Sequence, residues 1–312
     1  MEQTNIQIMK LQSMKLPTTF GCGALLVWSL YALVVSELLG RLPIFQTLFL
    51  MFGVSFVAMA IRLTILKRWH VLKQPWFVWL IGVLGVCGSD VAYLSAVKYA
   101  PPAHVDFIDY LWPFFVIIFS SFLPKEKLTI QHIIAGALGF LGVFLMLTGG
   151  KWNFNLQGDY VVGYLFALTA ALIWSLYTVA TRWRQDMPIE IVGMYCGIGA
   201  FISLGLHLQY ETWIIPTPFE ALLVFFLGLA SGVAYIFWTY ATQKGNFKLL
   251  GVLAYFTPII SMSFLVLCGK EPMSYALVMA CILVVAGVVI GSIDWSRIRV
   301  SLQLAYGNKN TS

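Results

Sequence analysis

The chain has 312 residues, of which 60% are hydrophobic and 10% are charged, and its mean hydropathy is +0.86. A soluble domain carries about 25% charged residues, so water cannot be the solvent around most of this surface. The net charge of +6 does not indicate a nucleic-acid partner, because the positive charges lie in short connections between apolar runs, as in membrane proteins.

Ten apolar runs follow one another along the chain, and a helix needs about 20 such residues to cross a bilayer. The runs are 19–39, 43–66, 76–97, 103–123, 130–149, 160–182, 188–208, 217–241, 247–267 and 272–293. The connections are short and hold most of the charge. This pattern predicts an all-α membrane protein with ten transmembrane helices in a lipid bilayer.

Lysine and arginine are distributed unequally between the two sides of the predicted bundle. Fifteen of the 19 lie in the two tails and in the connections after the second, fourth, sixth and eighth runs; the others are Arg41, Lys98, Lys151 and Lys270. Positive charge accumulates on the cytoplasmic side of membrane proteins. We therefore expect cytoplasmic tails at 1–18 and 294–312 in a multi-pass protein of the inner (plasma) membrane.

The two halves of the chain resemble each other at offsets of 142 to 146 residues. Trp-Ser-Leu-Tyr at 28–31 recurs at 174–177, Val-Ala-Tyr at 91–93 recurs at 233–235, and Tyr-Leu-Trp-Pro at 110–113 aligns with Tyr-Phe-Thr-Pro at 255–258. Five helices per copy is an odd number, so the second copy enters the membrane from the other side. We expect two inverted repeats, 19–149 and 160–293, with a site between them.

Three carboxylates lie inside apolar runs. Asp90 in the third run and Asp109 in the fourth lie deepest, and Asp106 is one turn nearer the outer end. A carboxylate in hydrocarbon costs roughly 2.5–3.5 kcal/mol on insertion scales, so it normally faces a cavity or a partner. Asp90 and Asp109 are candidates for binding a cation, a proton or a substrate amine. The alternative is a neutral aspartate bonded to a neighbouring helix, and Asp106 is more simply explained by contact with water.

Two prolines, Pro113 and Pro258, occupy matching positions in the repeats. Each removes a backbone donor and kinks its helix, which frees carbonyl groups that a transporter can expose at its centre. We interpret them as coupling or gating candidates together with Asp90 and Asp109. A kink that serves only packing is the alternative.

Aromatic residues inside the spans predict an aromatic pocket. Tyrosine and tryptophan usually gather at membrane interfaces, so those nearer mid-span need a polar cavity for their N–H and O–H groups. Such a pocket binds flat or apolar groups and, through cation–π contact, ammonium groups. These residues are Trp28, Trp112, Trp174, Tyr31, Tyr93, Tyr110, Tyr177 and Tyr255.

Small residues are expected to serve packing. Glycines spaced by three at 82, 85 and 88, and again at 136, 139 and 142, permit close contact between helices. The five cysteines all fall inside apolar runs without Cys-x-x-Cys spacing, so they predict neither a disulfide nor a metal site.

Together these motifs resemble the drug/metabolite transporter superfamily, whose repeat unit is the EamA domain. Its general mark is a proline in the fourth helix followed by a Lys-Glu turn, here Pro113 with 125–126 and Pro258 with 270–271. Ile-Asp-Tyr-Leu-Trp-Pro at 108–113 and Ile-Trp-Ser-Leu-Tyr-Thr at 173–178 look more specifically like the aromatic amino-acid exporter branch.

The resemblance implies a central pocket formed by five residues: Tyr93, Tyr110, Trp112, Pro113 and Trp174. With the pattern in the other repeat, the substrate-binding candidates are Asp90, Tyr93, Tyr110, Trp112, Pro113, Trp174, Tyr177 and Tyr255. The branch often has a histidine where this chain has Asp90 and an asparagine where it has Asp109. Two added carboxylates would favour cationic substrates or add a proton-binding step.

The sequence thus predicts a secondary carrier that exports aromatic or apolar amino acids, or related small metabolites, by alternating access. The alternative is a carrier of cationic metabolites or drugs, coupled to protons through Asp90 or Asp109. The His-Glu-x-x-His and Gly-x-Gly-Asp patterns of intramembrane proteases are absent, so we expect no enzyme, cofactor or metal. The expected partners are a small-molecule substrate and the bilayer; the sequence does not distinguish a monomer from a dimer.

Overall fold

The computed structural model describes residues 2–39, 41–100, 102–124, 129–150, 160–267 and 273–292. Within these ranges the chain is helical and contains no strand. The helices are α1 (Glu2–Leu39), α2 (Ile44–Ile65), α3 (Trp76–Val83), α4 (Ser89–Tyr99), α5 (Pro102–Asp109), α6 (Trp112–Phe119), α7 (Ile130–Leu147), α8 (Val161–Trp183), α9 (Ile191–Tyr210), α10 (Pro218–Lys244), α11 (Phe247–Leu253), α12 (Phe256–Leu267) and α13 (Tyr275–Ser292).

All ten apolar runs carry helix, which confirms the predicted all-α class. Five described segments are long and apolar enough to cross a membrane: Ile44–Ile65, Trp76–Tyr99, Val161–Trp183, Ile191–Tyr210 and Pro218–Lys244. Shorter apolar helices lie in four other runs: Trp112–Phe122, Ile130–Met146, Phe247–Ser261 and Tyr275–Gly291. The Lys-Glu turns at 125–126 and 270–271, and the tail at 294–312, lie outside the described residues.

Three of the runs are interrupted helices. A π turn at Leu84–Gly88 joins α3 to α4, and the amide of Ser89 there donates to the carbonyl of Leu84. Turns at 110–111 and 254–255 separate α5 from α6 and α11 from α12. Each of these two turns precedes a proline, which cannot donate the backbone hydrogen bond to the residue four positions earlier. Irregular backbone therefore lies within otherwise apolar helices at three places.

The second helices of the two halves, α2 and α9, pack antiparallel. Arg68, beyond the end of α2, forms an ion pair with Glu190, just before the start of α9. Glu211, just after the end of α9, accepts a 3.1 Å hydrogen bond from the amide of Gln46 near the start of α2. Arg68 and Glu211 lie at equivalent positions of the two halves, as do Gln46 and Glu190. The two contacts are therefore related by the internal repeat.

Glycines allow helices from the two halves to approach closely. A Cβ atom added to Gly85, in the π turn, would lie 2.4 Å from Cβ of Tyr177 on α8. A Cβ added to Gly139 on α7 would lie 2.3 Å from the ring of Tyr255. Neither distance is compatible with a side chain, so these glycines serve helix packing, as their spacing indicates.

Candidate functional site: a cavity between the two halves

A cavity lies where the interrupted helices meet α1, α8 and α10. The volume of the cavity is about 140 Å³. Its walls contain Trp28, Ser89, Asp90, Tyr93, Asp106, Asp109, Tyr110, Trp112, Ala170, Trp174, Tyr235 and Thr257. Both halves of the chain contribute to this wall, and aromatic and acidic side chains dominate it.

Four aromatic rings form one continuous wall of the cavity. Trp28 and Trp174, which are equivalent in the two repeats, meet edge to face with ring centroids 5.3 Å apart. Trp174 also lies 6.3 Å from Trp112 and 5.8 Å from Tyr235. Such edge-to-face pairs are favourable beyond the apolar area that they bury, so the wall is a preformed surface for an aromatic or apolar group.

Two carboxylates in the cavity are held by tyrosines at equivalent positions of the repeats. The Tyr93 hydroxyl donates to Oδ1 of Asp106, and the Tyr235 hydroxyl donates to Oδ2 of Asp90; the oxygen–oxygen distance is 2.5 Å in each bond. The carboxylate of Asp109 receives no hydrogen bond from any described residue, although it lies within electrostatic range of the other two aspartates. The cavity thus contains two fixed carboxylates and one without a donor.

The acidic character comes from one half of the chain only. The positions equivalent to Asp90, Asp106 and Asp109 are occupied by Gly232, Gly251 and Ala254. No lysine, arginine or histidine belongs to the described wall of the cavity. The site therefore combines an apolar aromatic wall with uncompensated acidic groups, a combination suited to a solute with a flat apolar part and a positive charge.

The interrupted helices position these side chains. Ser89 and Asp90 follow the π turn directly, and the Ser89 hydroxyl donates back to the Gly85 carbonyl. Beyond the turn between α5 and α6, the carbonyl of Trp112 accepts a 2.9 Å hydrogen bond from the Ser175 hydroxyl on α8. This bond fixes the backbone of Trp112 against the opposite half of the chain.

Six of the predicted site residues lie in the cavity wall: Asp90, Tyr93, Asp109, Tyr110, Trp112 and Trp174. The other four lie outside it. Tyr177 is buried, and its hydroxyl is 2.9 Å from the Thr239 hydroxyl. Tyr255 is fully buried against Gly139, and Pro113 and Pro258 are buried as well.

Sequence reasoning left several wall residues out of the candidate set. Tyr235 is the repeat equivalent of Tyr93, and this symmetry was the signal that would have identified it. Asp106 was explained by contact with water at the outer end, whereas it accepts the Tyr93 hydrogen bond inside the cavity. Neither charge nor aromatic character identifies Thr257 as a wall residue, although it is the repeat equivalent of Trp112. Trp28 was recognised as an aromatic residue within a span but was not chosen as a site residue.

The described residues include no group of three or more histidine, cysteine or acidic side chains arranged to hold a metal ion.

Comparisons with known proteins place this architecture in a family. The EamA-like transporter family matches residues 16–148 and again 161–293. The aromatic amino acid exporter YddG of Ancylobacter novellus is 37% identical over 88% of this chain and 96% of its own length. The S-adenosylmethionine uptake transporter of Rickettsia prowazekii is 24% identical over 62% of this chain and 65% of its own length.

A solved crystal structure superposes with a TM-score of 0.85 and 36% identity, over 92% of this chain and 99% of the other. The two family matches, each about as long as one predicted repeat, confirm the resemblance inferred from the motifs. The family match and the exporter relative indicate a multi-pass transporter of the bacterial inner membrane. The chain belongs to the EamA-like transporter family.

Proposed function

We propose that the protein is a secondary carrier that exports aromatic or apolar amino acids, or related small metabolites, through this cavity by alternating access. The observation that carries the proposal is the aromatic wall, in which equivalent tryptophans of the two halves, Trp28 and Trp174, meet edge to face. A carrier built from two repeats binds its solute at such an interface. The relatedness to proteins named aromatic amino acid exporters supports the same substrate class.

The proposed topology has ten crossings, two inverted repeats at 19–149 and 160–293, and both termini in the cytoplasm. Five spans of sufficient length, four shorter apolar helices and α1, which contains the first apolar run, support this number of crossings. The antiparallel packing of α2 against α9 supports inversion, because these are the second helices of their repeats. The unequal distribution of lysine and arginine supports the orientation.

In the proposed cycle, the aromatic part of the solute packs on Trp112 and Trp174 while its amino group faces the aspartates. At the turns 110–111 and 254–255 the amides of Leu111 and Tyr255 bond three residues back instead of four, and each turn precedes a proline without an amide donor. These turns are therefore the places where the helices can bend with least cost. Pro113 and Pro258, which follow these turns, serve as hinge residues in this proposal. Opening on one side and then the other exposes the same cavity to the two aqueous phases.

A second candidate function is the carriage of cationic metabolites or drugs, coupled to protons through Asp90 or Asp109. Three carboxylates without a basic residue in the described wall favour it. Replacing Asp90 with asparagine would then abolish transport of cations and spare neutral amino acids. Equal loss for both classes would contradict this second function.

Counterflow in proteoliposomes tests the proposal. Vesicles loaded with unlabelled tryptophan and tryptamine are expected to accumulate the labelled forms of one or both, with saturation. Trp112→Ala should raise the half-saturating concentration about threefold to tenfold, the loss of about one aromatic contact. Trp76→Ala is the matched control, because Trp76 is 75% exposed outside the cavity. Absence of accumulation for every aromatic amino acid and amine would refute the proposal.

A further inference from the structure

Two polar groups of the cavity, one from each half of the chain, have no hydrogen-bond partner in the part of the chain that the structure describes. Thr257 on α12 is 6% exposed, and its buried Oγ1 atom contacts no donor or acceptor among the described residues. Asp109, at the end of α5, likewise receives no hydrogen bond from them. Buried polar groups are normally satisfied, so an unpaired hydroxyl in a cavity wall indicates a missing partner.

The partner must be a hydrogen-bond donor that is also attracted by negative charge. A carboxylate accepts hydrogen bonds and a threonine hydroxyl accepts one as readily as it donates, whereas an ammonium group has three donors and no acceptor. An ammonium group therefore matches both Asp109 and Thr257, which belong to the same cavity wall. The other two carboxylates, Asp90 and Asp106, already have a tyrosine donor each.

The remainder of the wall determines which ammonium compounds fit. A free amino acid also carries a carboxylate, which needs a cationic or strongly donating partner, and the described wall has no lysine, arginine or histidine. That carboxylate would instead face Asp90, Asp106 and Asp109, and like charges at close range repel. An amine without a carboxylate avoids this cost and still packs its ring on the tryptophans.

We propose that Asp109 and Thr257 form the ammonium-binding subsite of this cavity, and that its preferred solutes are arylalkylamine monocations rather than the corresponding amino acids. This inference rests on the proposed function: it keeps the carrier and the cavity, and it narrows the solutes from amino acids and related small metabolites to the related amines. Trp112 and Thr257 occupy equivalent positions of the two repeats, where Trp112 supplies an indole ring and Thr257 supplies a hydroxyl group. The cavity is thus asymmetric where the fold is symmetric.

Binding to the purified full-length protein tests the subsite. Titrations with tryptamine, tryptophan and the uncharged alcohol tryptophol separate the contributions of the ring, the ammonium and the carboxylate. Tryptamine is expected to bind at least about tenfold more tightly than either of the others, the value of one charge-assisted hydrogen bond. Asp109→Asn should remove this preference, because it should weaken the binding of tryptamine more than the binding of tryptophol.

A conservative change and a control complete the experiment. Thr257→Val, which keeps the shape and removes the hydroxyl, should weaken the binding of tryptamine about threefold or more and weaken the binding of tryptophol less. Asp186→Asn, in the exposed connection between α8 and α9, should change neither. A thermal unfolding curve for each variant shows that it is folded.

The outcomes separate the two proposals. Tryptophan bound more tightly than tryptamine, or tryptamine binding that survives Asp109→Asn, would overturn the subsite while the carrier of aromatic solutes stands. Failure of all three compounds to bind, together with absence of counterflow, would overturn the proposed function as well.

Discussion

The hydrogen bond between Tyr235 and Asp90 joins the two halves of the chain across the cavity, and its removal has a calculable effect. Tyr235→Phe deletes one hydroxyl and leaves the ring in contact with Trp28 and Trp174. Tyr235 is 5% exposed, so the bond lies in a largely desolvated setting. Hydrogen bonds to charged groups contribute about 1.5–3 kcal/mol.

Water in the cavity moderates this loss, because a water molecule can donate to the carboxylate of Asp90 in place of the tyrosine. We therefore expect the lower end of the range, about 1.5 kcal/mol, which corresponds to about 3–6 °C in the unfolding midpoint. Intrinsic fluorescence of the purified protein during heating measures this shift directly.

Tyr240→Phe is the matched control for this change. Tyr240 lies on the same helix, its ring packs edge to face against Phe20 at 5.6 Å, and no described residue hydrogen-bonds to its hydroxyl. Its substitution should shift the midpoint by less than about 1 °C, as for surface changes without a partner. Equal midpoints for the two variants would refute the claim that the bond between Tyr235 and Asp90 ties the halves together.

Two further predictions concern the packing between the halves. Gly85→Ala should destabilise the protein by about 1–3 kcal/mol, because the added Cβ would lie 2.4 Å from Cβ of Tyr177. Gly53→Ala is the control: its added Cβ would have no atom within 4 Å beyond its chain neighbours and the backbone of its own helix, so a thermal scan should show equal or higher stability. Glu211→Gln should lower the free energy of unfolding by about 1–2 kcal/mol, because the Glu211 carboxylate caps the start of α2 by accepting from two backbone amides. The control is Asp186→Asn, and equal unfolding midpoints for the two variants would contradict this prediction.

The positions of the helices were predictable from the sequence because hydrocarbon requires long apolar runs, and every run proved helical. The breaks at 110–111 and 254–255 followed from Pro113 and Pro258, since proline removes a backbone donor. The π turn at Leu84–Gly88 had no such signal: its residues are apolar or small, and nothing in their order distinguishes a π turn from a regular one.

The face of each helix that meets the cavity was less predictable. A helix that is apolar all round gives no periodicity that separates the cavity side from the packing side. Tyr177 and Trp174 lie one turn apart on α8, yet only Trp174 reaches the cavity, while Tyr177 packs on Gly85. For the same reason, the sequence did not show that Tyr255 lies outside the cavity wall and that Thr257 lies in it.

Pairs that cross between the halves depend on tertiary structure alone. Asp90 and Tyr235 are separated by 145 residues, and no local pattern connects them. The internal repeat identifies one member of this pair, because Tyr235 is the equivalent of Tyr93, which was a candidate site residue. Symmetry identifies the positions at which a carrier of this kind places its site, but not the residue types, which differ between the halves at every acidic position.

The central claim is that an aromatic solute binds in the cavity between the two halves. Photo-crosslinking with a diazirine-bearing arylalkylamine, followed by peptide mapping, tests it most directly. The account predicts adducts in α4 at residues 89–93, in the turn before α6 and its first residue at 110–112, and in α8 at 170–174, which an excess of unlabelled amine suppresses. Adducts confined to the exposed apolar surface, such as that around Phe201 and Phe225, and insensitive to competition would contradict it.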